Sequence, residues 1–507
     1  MRTESKTLEE FLGIMTHVDA TQLPFGAAVS SSNLAQYYTG KIQRIPGIVR
    51  FKTDIADGTV RIPLTRVLRG LGGGNPVVAV YKGTGTTKVI NQSAAAEITG
   101  PALSSTDLGY WSHAFYANKH LLAGDGNAIQ EITSATTRIA WVGTSVPLGS
   151  LIAAYLDRLY VSGIASEEGL VRYTDILGTT FAASAVVNVK ELPGPVTALA
   201  INSPTSANEG VQTDLIISKA VGMWLWNEQR KIRITEAIGS KSPATFTNTP
   251  AGTFFMGIKG GTLRSVFYMP VGSTSEPRDV GIMLAGALSG LVNEEVACAV
   301  YHDGFYKLFF SRSGLTNQFE LWLDVDALTE ENKIIWYGVH DRGGADSVGT
   351  SDTALQISRK RDANNWVGFT ESLSLSSGFM TADQVTMTAT LELPLNLEPI
   401  SDEKMYELTE LWITAGTNVV GNELVAGLVA DGVSKGANTI SLYDETTAGN
   451  LVVVIPLRPP GATGMIAQSA ELLLFHGMNK PMTLTAFRVQ YAVYEEKASR
   501  IRGKVGK

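Results

Sequence analysis

The chain has 507 residues, of which 44% are hydrophobic and 18% charged, and its formal net charge is −7. A chain of this length suggests about two to four domains, and its negative charge argues against a protein whose main task is to grip nucleic-acid phosphates. The only cysteine is Cys298, so no internal disulfide can form and a reducing compartment is the natural place of synthesis.

The N-terminal segment has no apolar core of signal-peptide length, and no run in the chain is long and apolar enough to predict a membrane span. Thr7 and Glu10 have the spacing of a capping box, which predicts a short helix within residues 1–15. Residues 20–47 are rich in Gly, Pro and Ser. We therefore expect residues 1–47 to be either a flexible terminus or an arm that docks on the body or on a neighbouring subunit.

A short pattern recurs along the next three hundred residues: a small apolar run, a tyrosine, turn residues and a second apolar run. It occurs around the residues Tyr81, Tyr116, Tyr155 and Tyr301. Asn and Asp follow the tyrosine in several copies, and these residues tolerate the positive φ of tight hairpins. A hairpin repeated at intervals of a few tens of residues is typical of a β-propeller or of an array of sheets.

The spacing of the repeats predicts the number of blades. Strands with a small-apolar alternation begin near Ala79, Ala114, Ala153, Ala198, Phe255 and Ala299. These steps suit four-stranded blades. We predict an all-β fold with a β-propeller of about six blades over residues 48–380, five or seven being open. Its last blade is expected within 335–370, closed by a strand near 48–66.

The composition changes after about residue 380. Val385–Leu393 alternates strictly between apolar and polar residues, and Leu408–Thr414 and Met482–Tyr494 also resemble strands. We predict a C-terminal antiparallel β-sandwich-like domain over residues 381–494, with an irregular last blade as the alternative. Residues 495–507 form a basic tail that is either solvated or in contact with an anionic surface.

The motifs of propeller enzymes and of nucleotide-binding enzymes are absent from the sequence. It has no Ser-x-Asp-x-Gly-x-Thr-Trp box of sialidase type and no phosphate-binding Gly-x-x-x-x-Gly-Lys-Ser/Thr loop. His113 and His120 can approach across a hairpin, but a metal site usually needs a third ligand. We therefore predict that the chain is not an enzyme and that it has no catalytic, cofactor-binding or metal-binding residues.

Several acidic and aromatic groups have two interpretations. The acidic pairs are Asp324 with Asp326, Glu294 with Glu295, and Glu167 with Glu168. We interpret them as a solvated rim rather than as the opposed carboxylates of a glycosidase. The stretch 125–127 (Asp-Gly-Asn) predicts a hairpin turn rather than a calcium loop. Trp224 and Trp226 share one face of a strand, and we favour blade core over a sugar-stacking surface.

Two segments resemble a known family. Residues 33–51 read Asn-Leu-Ala-Gln-Tyr-Tyr-Thr-Gly-Lys-Ile-Gln-Arg-Ile-Pro-Gly-Ile-Val-Arg-Phe. They resemble the N-terminal signature of β-propeller tail proteins from tailed bacteriophages, in which Gly-Lys-hydrophobic-x-Arg-x-Pro-Gly precedes the first blade. The matching residues are Gly40, Lys41, Arg44, Pro46 and Gly47. Asp157–Gly163 (Asp-Arg-Leu-Tyr-Val-Ser-Gly), followed by Tyr173, Thr174 and Asp175, is similar to a blade of these proteins.

This resemblance implies a structural virion protein made in the host cytoplasm and located in the tail of short-tailed phages. Such a protein forms the tail nozzle or hub, a homo-hexameric ring or tube below the adaptor that serves as a channel for genome ejection. Its expected partners are the head–tail adaptor, tail fibre or needle proteins and, transiently, the passing DNA, without specific nucleic-acid binding. The alternative is a receptor- or glycan-binding propeller of a tail tip or fibre.

Overall fold

The structure is a computed structural model of the chain. It describes residues 2–495 except for these gaps: 9–10, 39–40, 51–54, 57–60, 72–74, 106–109, 204–213, 315, 351–354, 361–364, 373–386, 396–403, 416–419, 431–432, 443–450, 457–464, 468–469, 478–479 and 481. The expected basic tail, residues 495–507, lies almost wholly outside the described residues.

The chain divides into two compact units. We call residues 49–334 and 343–371 the propeller unit, and residues 1–48, 335–342 and 372–507 the sandwich unit. The expected propeller, 48–380, thus differs from the propeller unit mainly by the short segment 335–342, which belongs to the sandwich unit.

The regular elements are nearly all strands. The first four are β1 (Arg2–Leu8), β2 (Ser30–Ser32), β3 (Leu34–Tyr38) and β4 (Lys41–Arg44). The next are β5 (Gly47–Arg50), β6 (Ile55–Ala56), β7 (Arg61–Val67), β8 (Val77–Lys82), β9 (Thr87–Asn91), β10 (Ala96–Glu97), β11 (Trp111–Tyr116), β12 (Lys119–Gly124), β13 (Gln130–Ile132), β14 (Arg138–Ala140), β15 (Leu151–Tyr155), β16 (Arg158–Ser162), β17 (Leu170–Tyr173) and β18 (Val186–Asn188).

They are followed by β19 (Val196–Asn202), β20 (Asp214–Lys219), β21 (Met223–Trp226), β22 (Lys231–Thr235), β23 (Ile238–Gly239), β24 (Thr247–Thr249), β25 (Gly252–Lys259), β26 (Leu263–Pro270), β27 (Arg278–Asp279), β28 (Cys298–His302), β29 (Phe305–Phe310), β30 (Phe319–Asp324), β31 (Trp336–His340), β32 (Ser347–Thr350), β33 (Leu355–Lys360) and β34 (Asn365–Ser372).

The C-terminal strands are β35 (Ala389–Pro394), β36 (Lys404–Ala415), β37 (Glu423–Ala430), β38 (Val433–Ser441), β39 (Leu451–Pro456), β40 (Met465–Ala467), β41 (Ala470–His476) and β42 (Thr483–Glu495). The α-helices are α1 (Ala285–Ser289) and α2 (Val325–Glu331), and single 3-10 turns lie at 20–22, 243–245, 282–284 and 294–296. No helix among the described residues is long and apolar enough to cross a membrane.

The propeller unit consists of small antiparallel sheets that follow one another along the chain. Its described residues form seven of them: β7 to β10, β11 to β14, β15 to β18, β19 to β22, β23 to β27, β28 to β30, and β32 to β34 with β5 and β6. In the last sheet Ile55 and Ala56 pair with Trp366 and Asn365, so a strand from the start of the chain closes it. Successive blades closed in this way form a β-propeller, which confirms the expected fold class.

Seven sheets are one more than the expected six and within the range that the sequence left open. The six expected strand starts do not include the closing blade, which takes its outer strands from residues 47–56. The first blade also begins earlier in the chain than expected. Ala79 lies in β8, the second strand of its blade, and β7 precedes it.

The repeated pattern forms the predicted hairpins. Three of its turns are closed by the pairs Tyr116↔Lys119, Tyr155↔Arg158 and His302↔Phe305. The two residues at each tip have positive φ, for example 47° and 62° at Ala117 and Asn118. Two-residue turns with two positive φ values match the twist of the flanking strands. The tyrosine before the turn is buried at Tyr116 and Tyr155, so it packs into the blade.

The sandwich unit consists of two antiparallel sheets. One has the order β3-β4-β42-β36-β39, with β1 on β42 and β40 on β36, and the other has the order β2-β35-β41-β37-β38. Strand β37 alternates between buried and more exposed residues, as expected where one face of a sheet covers a core. The C-terminal region is therefore the predicted sandwich-like domain.

The N-terminal segment differs from its prediction. Residues 2–8 form strand β1 instead of part of a helix, in register with 487–493 of β42. The free hydrogen-bonding edge of a long strand outweighs the local capping-box signal, because a short helix has little stability of its own. Strands β2, β3 and β4 likewise join sheets of the sandwich unit, so much of the expected arm, residues 1–47, is paired within its own chain.

Candidate functional site: the central cavity of the propeller

The inner strands of the propeller unit surround a cavity of about 440 Å³. Strands β7, β11, β15, β19, β24, β28 and β32 contribute to its wall. The polar and titratable residues that line it include Arg61, Arg66, Tyr110, His113, Glu295 and Cys298. Because these residues come from different blades, only closure of the propeller brings them together.

Two arginines give the cavity wall its positive charge. Arg61 is only 4% exposed, and its Nε and Nη1 atoms are buried without a hydrogen-bond partner among the described residues. Arg66 Nη1 donates to the carbonyl oxygens of Thr65, at 3.1 Å, and Val348, at 3.3 Å. The Arg66 side chain is accessible to water, but it lies at the cavity wall with protein on several sides. Desolvation therefore lowers the pKa of both arginines.

A pair of histidines lies beside Arg66. His120 Nε2 is 2.8 Å from the carbonyl oxygen of Arg69, which can only accept, so this nitrogen carries the proton. His120 Nδ1 then accepts from His113 Nε2 at 3.1 Å. Burial, with the positive charge of the neighbouring Arg66, lowers the pKa of His113 to about 3, so this ring is neutral at pH 7. The two histidines do approach across their hairpin, as expected.

The acidic groups weighed from the sequence lie in separate places. Glu167 makes a two-pronged ion pair with Arg172, and Glu294 accepts from Arg264 Nε at 2.6 Å. Asp324 caps helix α2 by accepting from the backbone N–H of Ala327 at 2.8 Å. These three carboxylates therefore have structural partners, whereas Glu295 lines the central cavity.

The stretch 125–127 forms a turn, as predicted. The backbone N–H of Asn127 donates to the carbonyl oxygen of Gly124 at 3.0 Å, and Asp125 has a φ of 52°. The Asp125 carboxylate, which a calcium loop would need, accepts from Lys82 Nζ at 3.0 Å and Trp111 Nε1 at 2.9 Å. Trp224 is fully buried in a blade core, with Trp226 packed against that core, so the preferred interpretation of this pair is also confirmed.

One cluster had no signal in the sequence. His302 Nδ1 lies 3.1 Å from Asp303 Oδ2 and 3.3 Å from Glu371 Oε2. The three side chains are close enough to share a metal ion. However, the Lys307 ammonium group lies 2.9 and 3.0 Å from the two Glu371 oxygens, and its charge opposes a bound cation. Because Glu371 comes from a distant strand, residue spacing cannot reveal this cluster.

Residues that carry the family resemblance form hydrogen bonds between segments that are distant in the chain. In the sandwich unit, buried Arg44 donates to the carbonyl oxygens of Met387 and Lys480 and to His476 Nδ1, the last two at 3.0 and 3.1 Å. The carbonyl oxygen of Pro46 accepts from Arg342 Nη1 at 3.1 Å. The signature therefore connects segments that are far apart in the chain. Gly40 lies outside the described residues.

The second motif makes similar contacts within the propeller unit. Arg158 Nε lies 2.8 Å from Glu228 Oε1 in the following blade, and its Nη1 donates to the carbonyl oxygen of Thr174 at 2.7 Å. The Thr174 hydroxyl accepts from the backbone N–H of Leu159 at 3.0 Å. These contacts tie β16 to the segment after β17 and one blade to the next.

Comparison with known proteins gives only distant similarities. No protein-family model and no curated protein matches the chain. Among solved structures, YCF48 bound to D1 peptide is similar over 68% of this chain and 100% of its own, with 11% identity and a TM-score of 0.36. Dihydro-heme d1 dehydrogenase NirN in complex with DHE is similar over 62% of each chain, with 11% identity and a TM-score of 0.36.

A third similar structure is a putative oxidoreductase from Thermus thermophilus, described as a glucose dehydrogenase. It is similar over 64% of this chain and 99% of its own, with 10% identity and a TM-score of 0.34. At this level of similarity neither an activity nor a ligand transfers to the present chain. The functional argument therefore depends on the chain's own residues.

Proposed function

We propose that this chain is a structural virion protein that forms the tail nozzle or hub of a short-tailed bacteriophage and has no catalytic role. The observation that supports it best is the set of contacts made by the two motifs that match the family. Arg44 and Arg158, the arginines of these motifs, each connect separate segments of the fold. Motif residues that stabilise the fold are expected in a family of structural proteins, whereas a family of enzymes is expected to share the residues of its active site.

The proposal includes a homo-hexameric ring or tube. Exposed apolar side chains on two adjacent segments of the propeller unit offer a subunit contact: Val142, Leu148, Ile176 and Leu177. The segments are adjacent because Thr144 N–H donates to the carbonyl oxygen of Thr179 at 3.0 Å. Large exposed apolar groups of this kind are typical of protein–protein contacts.

The net charge suits a channel through which DNA passes without being held. Six copies of a chain with a net charge of −7 together carry −42. This charge is a repulsive background for a polyanion, whereas a lumen lined with Lys and Arg would bind phosphates and slow ejection. The protein is located in the virion tail in this proposal, between an adaptor ring and fibre or needle proteins.

The test is the assembly state of the purified full chain, measured by native mass spectrometry and electron microscopy. We expect hexameric rings or tubes. The double variant Ile176→Glu with Leu177→Glu should shift the protein toward monomers, because it places charges in the apolar contact. The matched control is Leu263→Glu, an exposed leucine at a hairpin of another blade.

A chain that stays monomeric at all concentrations would contradict the nozzle proposal. If that monomer also binds components of a glycan array, the receptor-binding alternative replaces it. If it turns over a glycan or ester and one acidic substitution abolishes the turnover, the non-enzymatic assignment is wrong.

A further inference from the structure

Arg61, at the wall of the central cavity, is a buried arginine with unsatisfied hydrogen-bond donors. A guanidinium group stays charged at all ordinary pH values, and its five N–H donors need acceptors. Arg61 is 4% exposed, yet its Nε and Nη1 have no hydrogen-bond partner within the described part of the chain. Leaving a buried charge and its donors unsatisfied is strongly unfavourable. Some acceptor that is not part of this chain would relieve it.

The acids near Arg61 do not provide that acceptor. Asp346 and Glu295 act on Arg61 through their charge, but neither is a hydrogen-bond partner of its Nε or Nη1 atom. The Cys298 thiol, also nearby, stays protonated because burial raises its pKa to about 12. The side chain of Arg61 thus faces the cavity with donors still available.

A second guanidinium group lies on the same strand and lines the same cavity. Arg66 is oriented by the carbonyl oxygens of Thr65 and Val348, which both accept from its Nη1. The neighbouring His113 is neutral and adds no charge. Arg66 therefore adds positive charge to the cavity that Arg61 lines, and the planar fork of a guanidinium group matches a carboxylate or phosphate edge.

We propose that the central cavity of the propeller binds a small oxyanion, phosphate or carboxylate, held by Arg61, with Arg66 adding positive charge to the same cavity. The cavity of about 440 Å³ admits such an ion together with water. Glu295, which also lines it, disfavours highly charged ligands and favours one compact anionic group. The binding site is independent of the assembly state, so it stands or falls separately from the tail proposal.

The test uses the full chain in chloride buffer at pH 7, with inorganic phosphate and acetate as the two probes. Isothermal titration calorimetry should give saturable binding of about one ion per chain for at least one probe. The thermal unfolding temperature should rise with that probe and not with sodium chloride of equal ionic strength. The probe that binds identifies the class of oxyanion.

Variants locate the site. Arg61→Gln should weaken binding at least tenfold and abolish the probe-dependent rise in unfolding temperature, and Arg66→Gln should also weaken binding. In chloride alone Arg61→Gln should still show a cooperative unfolding transition, which shows that the variant is folded. The matched control Arg230→Gln, at an exposed arginine that does not line the cavity, should bind like wild type.

Two results would overturn the proposal. One is the absence of binding and of any thermal shift with both phosphate and acetate. The other is unchanged affinity in folded Arg61→Gln, since the ion would then sit elsewhere.

Discussion

Lys82 and Asp125 form a buried ion pair between the first two blades of the propeller unit. Lys82 Nζ lies 3.0 Å from Asp125 Oδ1, and the two side chains are 2% and 0% exposed. The second oxygen of Asp125 accepts from Trp111 Nε1 at 2.9 Å. The carboxylate at the tip of one hairpin therefore satisfies a lysine of the neighbouring blade and a tryptophan of its own.

Removing the acid should destabilise the propeller unit strongly. Asp125→Ala removes the buried carboxylate that lies 3.0 Å from the Lys82 ammonium group, and breaking a buried pair from one side costs about 3–5 kcal/mol. We expect a loss of that size in the free energy of unfolding measured with urea. Glu131→Gln, which removes the more exposed Lys119–Glu131 pair in the same blade, should cost less than about 1 kcal/mol. Equal losses in the two variants would contradict this explanation.

The sequence predicts the Asp125 turn but not its ion pair. Local chemistry is enough for the turn, since Asp followed by Gly favours positive φ. Lys82 comes from another blade, and its approach depends on how neighbouring sheets pack. The same limit applies to the cavity, where Arg61 and Glu295 meet only after closure. Local patterns thus predicted the hairpins and the alternating strands of the sandwich, whereas β1 was missed because its partner, β42, lies almost five hundred residues away.

Two histidines should make the protein sensitive to acid: His476, which is buried, and His113, which is partly buried at the cavity wall. The pKa of His113 and that of His476 are each lowered to about 3, in both cases mainly by burial. The unfolded chain binds these protons near pH 6.5 and the folded chain only near pH 3, so stability is complete above pH 6.5 and falls as the pH drops toward 3. Each group contributes a slope of up to about 1.4 kcal/mol per pH unit in this window.

The measurement is the free energy of unfolding between pH 7 and pH 4 for wild type and for His113→Gln and His476→Gln. Each variant should show a shallower dependence on pH, although its stability at pH 7 can be lower. His17→Gln is the control for replacing a histidine elsewhere in the chain. Parallel curves for wild type and both site variants would show that these histidines do not titrate with unfolding.

The Cys298 thiol should be unreactive as long as the propeller unit is folded. Its thiol is buried, and burial raises its pKa to about 12, so almost no reactive thiolate exists at pH 8. We expect a disulfide reagent such as 5,5′-dithiobis(2-nitrobenzoate) to label the native chain at least a hundredfold more slowly than the urea-unfolded chain. Since the sequence has one cysteine, all labelling by the reagent comes from Cys298. Rapid labelling of the native protein would mean that the inner strand β28 opens easily.

The pairing of β1 with β42 predicts a local effect of shortening the N-terminus. Deletion of residues 2–8 removes every partner of the 487–493 segment on that side and leaves an unpaired edge in a sheet of the sandwich unit. We expect faster hydrogen–deuterium exchange of backbone amides in β42, measured by mass spectrometry. Amides of β12 and β16, in the propeller unit, should keep their protection, and the Cys298 thiol should remain unreactive.

Ser5→Ala is the matched control, because it removes the hydroxyl that accepts from Arg488 Nη2 at 3.1 Å but keeps the backbone of β1. It should leave the exchange of β42 close to wild type. If the deletion also leaves β42 protected, strand β1 does not pair in solution and the N-terminal segment is available to another subunit, as the sequence first suggested. If the deletion instead exposes the propeller amides and the Cys298 thiol, folding of the propeller unit depends on the sandwich unit.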